Sequence, residues 1–192
     1  LLTIKDAGFC PIILRNATAY GSSPKLRLDI VLNNFAASAY NAGVIKILSD
    51  GTPWRPMIHA QDIARLFVAF LEAPEEKIRG QIVNCGQNEE NYMVKDIALA
   101  IKRAFPATEI SLSEKPDKDS RTYKVSFNKL KILLPDFEFK WTIKKAAEEL
   151  LRDFKKHGLP DNALEKRNLI RTAQLKHLIN EGRLDPELRW KK

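Results

Sequence analysis

Cysteine is scarce in this chain of 192 residues, which holds only Cys10 and Cys85, each in an apolar, strand-like context. That count excludes a disulfide-stapled scaffold and points to reduced, buried thiols of a cytoplasmic protein. Histidine is scarce too, with three scattered residues and no close Cys/His grouping. A dedicated metal site is therefore not expected. Long apolar runs are missing as well. "LFVAFL" at 66–71 is far short of the roughly 20 residues that span a bilayer, so no membrane partner is expected. There is no internal repeat and no low-complexity segment.

What is present describes an ordinary globular chain: 44% hydrophobic and 29% charged residues, long enough for one domain or for part of a larger one. The net charge of +8 invites a nucleic-acid reading. Its distribution argues otherwise, because residues 152–192 hold eleven Lys/Arg against six Asp/Glu and so carry five of the eight excess charges. Those charges interleave with leucines at helical spacing, without aromatic platforms, which is the pattern of a solvated helical face.

Hydropathy periodicity sets out an alternation of helix and strand. "LLTIKDAGF" reads as the end of an amphipathic helix stopped near Gly8, and residues 10–16 as a buried strand. Residues 17–25 read as a loop, 26–43 as a helix stopped by Gly43, and 44–48 as a strand. A turn, an apolar helix over 61–73 and a strand over 81–86 follow. Residues 91–105 form a helix with Asn91 as N-cap, "EISL" a short strand, 116–123 a polar loop and "FNKLKILL" a short helix. A long helix over 142–158 is capped by Thr142 and closed by Gly158, and the tail adds a helix around 162–181. Strand–helix alternation over the first hundred residues predicts an α/β fold with parallel pairing.

One stretch, "GTPWRPMIHAQDIARLF" at 51–67, asks for a functional explanation. A turn uses Gly51 and Pro53, and a helix start uses Asp62, but neither needs an arginine fixed between two prolines. This stretch, with "LRNATAYGSSPKLR", "IVNCG", "DSRTYKVSFNKL" and "KWTIKKAAEELL" in that family's order and spacing, resembles the C-terminal part of the extended short-chain dehydrogenase/reductase family. Those are the NAD-dependent epimerases and dehydratases of nucleotide-linked sugars. The resemblance covers roughly residues 1–155, as the last Rossmann strands and a substrate-binding lobe, and leaves 156–192 as a helical C-terminal extension.

The resemblance implies a role for particular side chains. Arg55 and Arg121 match the two arginines that grip the substrate diphosphate from separate loops, for which a planar guanidinium is suited. Thr18 and Tyr20 match one wall of the sugar pocket, although the family's usual asparagine is Thr18 here and its following proline is Ser22. Arg27 borders the nucleotide, and Ala17 and Thr18 lie beside the cofactor. Asp62 is expected to cap the helix and His59 to pack or cap, rather than to catalyse.

The family's glycine-rich dinucleotide turn and its Tyr–x–x–x–Lys acid/base pair have no counterpart in this chain. The expectation is thus the C-terminal part of an NAD(P)-dependent epimerase, dehydratase or reductase. Its catalytic residues would lie upstream of Leu1, its partners would be a nucleotide sugar and the other half of the parent protein, and it would assemble as a homo-oligomer, most simply a dimer. This part alone is expected to be inactive. An inactive family member serving as a binding or regulatory protein, and a basic nucleic-acid-binding module, are the alternatives.

Overall fold

A computed structural model describes residues 8–113 and 121–191 of the chain. The helix remnant expected before Gly8 and most of the polar loop at 116–123 lie outside the described residues. In chain order the elements begin with β1 (Ile13–Asn16), β2 (Thr18–Tyr20), α1 (Val31–Ala42), β3 (Val44–Ile47) and β4 (Trp54–His59). Then come α2 (Ala60–Glu72), α3 (Glu75–Ile78), β5 (Ile82–Cys85), β6 (Asn91–Met93), α4 (Val94–Ala104) and β7 (Glu109–Leu112). The chain ends with α5 (Asn128–Leu133), α6 (Ile143–His157) and α7 (Arg171–Asn180), with short 3-10 turns at Asn88–Glu90 and Ala163–Glu165.

The strands form three small sheets. β1 pairs β5 in parallel, β3 pairs β7 in parallel, and β4 runs parallel to β2 and antiparallel to β6. The fold is mixed α/β with parallel pairing, of Rossmann type. Between β1 and β2 the extended chain changes partner. Asn16 sits opposite Cys85, the Ala17 amide donates to the Cys85 carbonyl at 2.9 Å, and Thr18 sits opposite Met57. A loop was expected over 17–25 from composition; the structure has a strand at Thr18–Tyr20, and the loop begins only after it.

β4 was hidden in the sequence by its prolines, since a proline removes a ladder donor and argues against a central strand. The register explains how Pro56 is tolerated. Residues 54–56 pair with β6, whereas 57–59 pair with β2, so Pro56 stands at the join of two ladders. α1 begins five residues later than the periodicity suggests, because asparagines intercept the carbonyls ahead of it. Asn33 donates to Arg27 O at 3.0 Å and Asn34 donates to Leu28 O at 2.9 Å. Gly43 stops the helix in the left-handed conformation (φ 65°), as expected. α4 is capped at Met93, whose amide donates to Asp96; Asn91 lies in β6 and uses its side chain on Val125. Thr142 caps α6 as expected, accepting from the Lys145 amide.

Two apolar cores lie on either side of β4. Leu32, Phe35, Ile45, Met57, Ile101 and Leu150 belong to the first, with α1, α4 and α6 packed around them. Ile58, Leu66, Phe70, Val83 and Leu130 belong to the second, beneath α2. The adjacent residues Met57 and Ile58 thus feed opposite cores, as strand alternation requires. The start of the tail joins the first core. Ala163 is fully buried there, Leu164 and Leu169 pack against it, and the Leu169 carbonyl accepts from the Leu28 amide at 2.9 Å. Outside, Phe67, Val68 and Leu71 on α2 are exposed, Leu71 by 85%.

Candidate functional site

The site is built where the loop at 121–127 crosses the start of β4. Thr122 accepts from the Trp54 amide at 3.0 Å, fixing the loop to the strand. Arg55 Nη1 then donates to its neighbour's carbonyl, Trp54 O, at 2.9 Å and to the Arg121 carbonyl at 2.5 Å. Two cation–π contacts close the clasp reciprocally: Arg55 lies 5.7 Å from the Tyr123 ring centre, and Lys124 Nζ lies 3.6 Å from the Trp54 ring. The two arginines singled out from separate stretches are therefore neighbours, and the backbone holds the first of them in position. Beside the clasp opens a cleft of about 340 Å³ with Phe35 in its wall and Asn34, Lys46, Ser49 and Arg55 among its polar groups.

The remaining candidates fall elsewhere. Arg27 is engaged bidentately by Asp29 (3.0 and 2.9 Å), and that contact holds the Asp29 carboxyl below the usual range. Asp29 lines the same cleft, and Arg27 does not. Ala17 is buried with its amide spent on β5, and Thr18 is half-buried in β2. Tyr20 is 2% exposed, and its hydroxyl donates to Glu90 at 3.4 Å. Burial first and Glu90 second push that hydroxyl's pKa upward, so the phenol is a core residue rather than an open wall of a pocket. Lys129, also in the matched stretch, reaches the Ile82 carbonyl at 2.9 Å and ties α5 to β5.

Behind β4 lies a buried polar network that the sequence reading mostly missed. His59 caps α2 by accepting from the Gln61 amide at Nδ1, so its proton sits on Nε2, which donates to Glu149 Oε2 at 2.9 Å. The same carboxylate oxygen accepts from the Ser22 amide at 3.0 Å. Trp141 stacks on the imidazole at 3.9 Å, and Tyr20 meets it edge-on. Asp62 accepts from the Lys140 and Trp141 amides and from Arg65, joining α2 to the approach to α6. Glu90 accepts from Tyr20, Tyr92 and the Ile143 amide, and desolvation is the main reason its pKa is raised. His59 packs and caps as expected, whereas Asp62, expected to cap the helix start, instead ties α2 to the distant 140–141 segment, because His59 already takes the Gln61 amide. Glu149 had a legible signal: it occupies the same helical stripe as Ala146, Leu150 and Phe154, where a carboxylate needs a buried partner.

Glycines do close packing here, not dinucleotide cradling. A side chain at Gly21 (φ 108°) would collide with His59, its Cβ only 2.1 Å from Nε2, and one at Gly86 would strike the Phe127 ring. No group of His, Cys, Asp or Glu among the described residues is arranged to hold a metal. None of the described helices is long and apolar enough to cross a membrane.

Residues 2–86 match the model of the NAD dependent epimerase/dehydratase family. Similar solved structures include an epimerase from Methanothermobacter thermautotrophicus, with a TM-score of 0.64 and 23% identity over 76% of this chain and 43% of that one. A dTDP-glucose 4,6-dehydratase from Bacillus anthracis, in complex with NAD, gives 0.63 and 20% over 76% and 45%. A UDP-glucuronic acid 4-epimerase from Bacillus cereus, in complex with UDP-glucuronic acid and NAD, gives 0.61 and 23% over 76% and 45%. The resemblance drawn from the motifs is thus found again in the family model and in the fold. The chain spans less than half the length of these structures.

Proposed function

We propose, for a chain whose residues 2–86 match the NAD-dependent epimerase/dehydratase family, that it is the substrate-binding part of an NAD(P)-dependent enzyme acting on a nucleotide sugar. The carrying observation is the clasp that unites Arg55 with the Arg121 segment beside a cleft of about 340 Å³. A diphosphate there would meet guanidinium groups from two chain segments, one already oriented by backbone carbonyls, which lowers the entropy lost on binding. The neighbouring cleft, with an aromatic wall and a few polar groups, suits the nucleoside end of such a ligand.

NAD(P) would supply hydride transfer in the whole enzyme. The chain's own residues do not fit a dinucleotide cradle: the tight glycines face His59 and Phe127, and the Ala17 amide is bonded to Cys85. The cofactor would therefore be held by another part of the protein. The exposed apolar face of α2 (Phe67, Val68, Leu71) is a surface on which that part would pack, and in the oligomer the cofactor-holding half completes each site.

Pyrophosphate tests the clasp without a choice of base or sugar. The chain should bind pyrophosphate saturably in calorimetric titration, and Arg55→Ala should weaken it roughly tenfold to a hundredfold, the equivalent of a charge-assisted hydrogen bond of about 1.5–3 kcal/mol. Arg55→Lys should restore only part, because an ammonium lacks the two-pronged geometry. NAD should bind no tighter than roughly millimolar. Equal pyrophosphate affinity in wild type and Arg55→Ala removes the diphosphate assignment.

A further inference from the structure

The tail lies outside residues 2–86, the part that matches the family model, yet it reaches the wall of the Arg55 cleft. Residues 160–169 run back along α1, from its last turn to the segment ahead of its first. At the last turn, Asn41 Nδ2 donates to the Pro160 carbonyl at 2.7 Å and to the Asp161 carbonyl at 3.1 Å. Ala163 is then fully buried in the first core, with Leu164, Leu169 and Ile170 packed against it. Ahead of the first turn, the Leu169 carbonyl accepts from the Leu28 amide at 2.9 Å.

Leu28 is fully buried, and its peptide is gripped from two sides. The tail takes the amide, and Asn34 Nδ2 donates to the carbonyl at 2.9 Å. Asn34 and the next residue, Asp29, both line the cleft. The bond at Leu169 also brings in Arg171, two residues on. Arg27 chiefly, and Arg171 in lesser part, hold the Asp29 carboxyl below its usual range. A segment between helix and strand has no ladder of its own, so contacts like these decide whether it is ordered before a ligand arrives. Ordering it beforehand lowers the entropy lost on binding.

We propose that residues 160–171 are a positioning strap for the cleft: they hold the Leu28 peptide so that Asp29 and Asn34 present a preformed wall to the nucleoside end of a bound nucleotide. The inference rests on the diphosphate reading of the Arg55 clasp and extends that site into the tail. The strap acts through Leu28 and does not itself touch the ligand. By linkage, the factor by which it tightens nucleotide binding is the factor by which nucleotide tightens the strap.

The full chain is titrated with pyrophosphate, UDP and GDP, and exchange of the Leu28 amide is followed by NMR against that of Ala17, which is bonded to Cys85 instead. The better of UDP and GDP should bind at least about fivefold more tightly than pyrophosphate and should slow Leu28 exchange about fivefold more than Ala17 exchange. Two glycines inserted between Arg167 and Asn168 lengthen the strap beyond its buried anchor at Ala163. They should quicken Leu28 exchange about tenfold and weaken the nucleotide about fivefold, with pyrophosphate within about twofold of wild type. Asn41→Ala loosens the strap at the other end of α1, where no residue lines the cleft. It should act in the same direction by about threefold, and it decides the matter where the insertion does not fold. Unchanged nucleotide affinity beside quickened Leu28 exchange overturns the proposal, and so does Leu28 exchange that neither variant quickens. Equal weakening of nucleotide and pyrophosphate, or a nucleotide no tighter than pyrophosphate in wild type, overturns it as well. In all of these the clasp reading stands, whereas a wild type that does not bind pyrophosphate ends both.

Discussion

The two faces of β4 use charge in opposite ways. Towards α6, the carboxylates of Asp62, Glu90 and Glu149 are buried and take backbone amides from distant segments: Lys140 and Trp141, Ile143, and Ser22. Towards the loop at 121–127, Arg55 is half-exposed and takes backbone carbonyls. A buried carboxylate that accepts amides from another segment acts as a joint, because losing it strands donors that water cannot reach. An arginine held by carbonyls at a surface has its direction fixed by the backbone without being buried. The same kind of contact, side chain to backbone, joins buried segments on one face and orients a half-exposed side chain on the other.

The largest effect that would break this contrast is at Gly21. Its φ of 108° and the His59 ring against it leave no room for a methyl group. Gly21→Ala should cost about 4 kcal/mol or more, in the range where point substitutions are exceptional. Urea unfolding measures it, and a cost below about 1 kcal/mol would mean that the joint around His59 is loose.

A pH series on Glu90→Gln sharpens the comparison at intermediate size. Desolvation raises the folded-state pKa of Glu90 above its ordinary value of 4.5. The folded protein therefore binds this proton more tightly than the unfolded chain, and the stability so gained is present below pH 4.5 and lost as pH rises through the raised value. Glutamine keeps an acceptor for the tyrosine hydroxyls without a charge to desolvate. The melting temperature of Glu90→Gln minus that of wild type should grow as pH is raised from below 4.5 towards neutrality. A flat difference would show that the three hydrogen bonds to Glu90 fully compensate its burial.

The smallest effect is expected at Arg27, whose guanidinium is paired with Asp29 and about one-third exposed. Arg27→Ala should cost less than about 1 kcal/mol in unfolding, as exposed pairs do. Pyrophosphate affinity should stay within about twofold of wild type, because this guanidinium is already occupied by a carboxylate. A tenfold loss would bring Arg27 into the clamp.

The sequence by itself located α2, α4 and α6, which carry unbroken apolar stripes, and α6 has both its start and its stop signal; the tail helix expected over 162–181 is shorter, at Arg171–Asn180. It also pointed to Arg55, because an arginine between prolines serves no turn or helix start, and, through the family resemblance, to Arg121. Sheet partners were decided only in three dimensions: β2 is three residues of apparent loop, and β4 contains a proline that is harmless only because two ladders meet there. Tyr20 likewise reads as a pocket residue until Glu90, seventy positions away, claims its hydroxyl. Periodicity is a local property, written in residues three or four apart, so a sequence displays it directly. The partner of a strand edge or of a buried carboxylate comes from far along the chain, and only packing selects it.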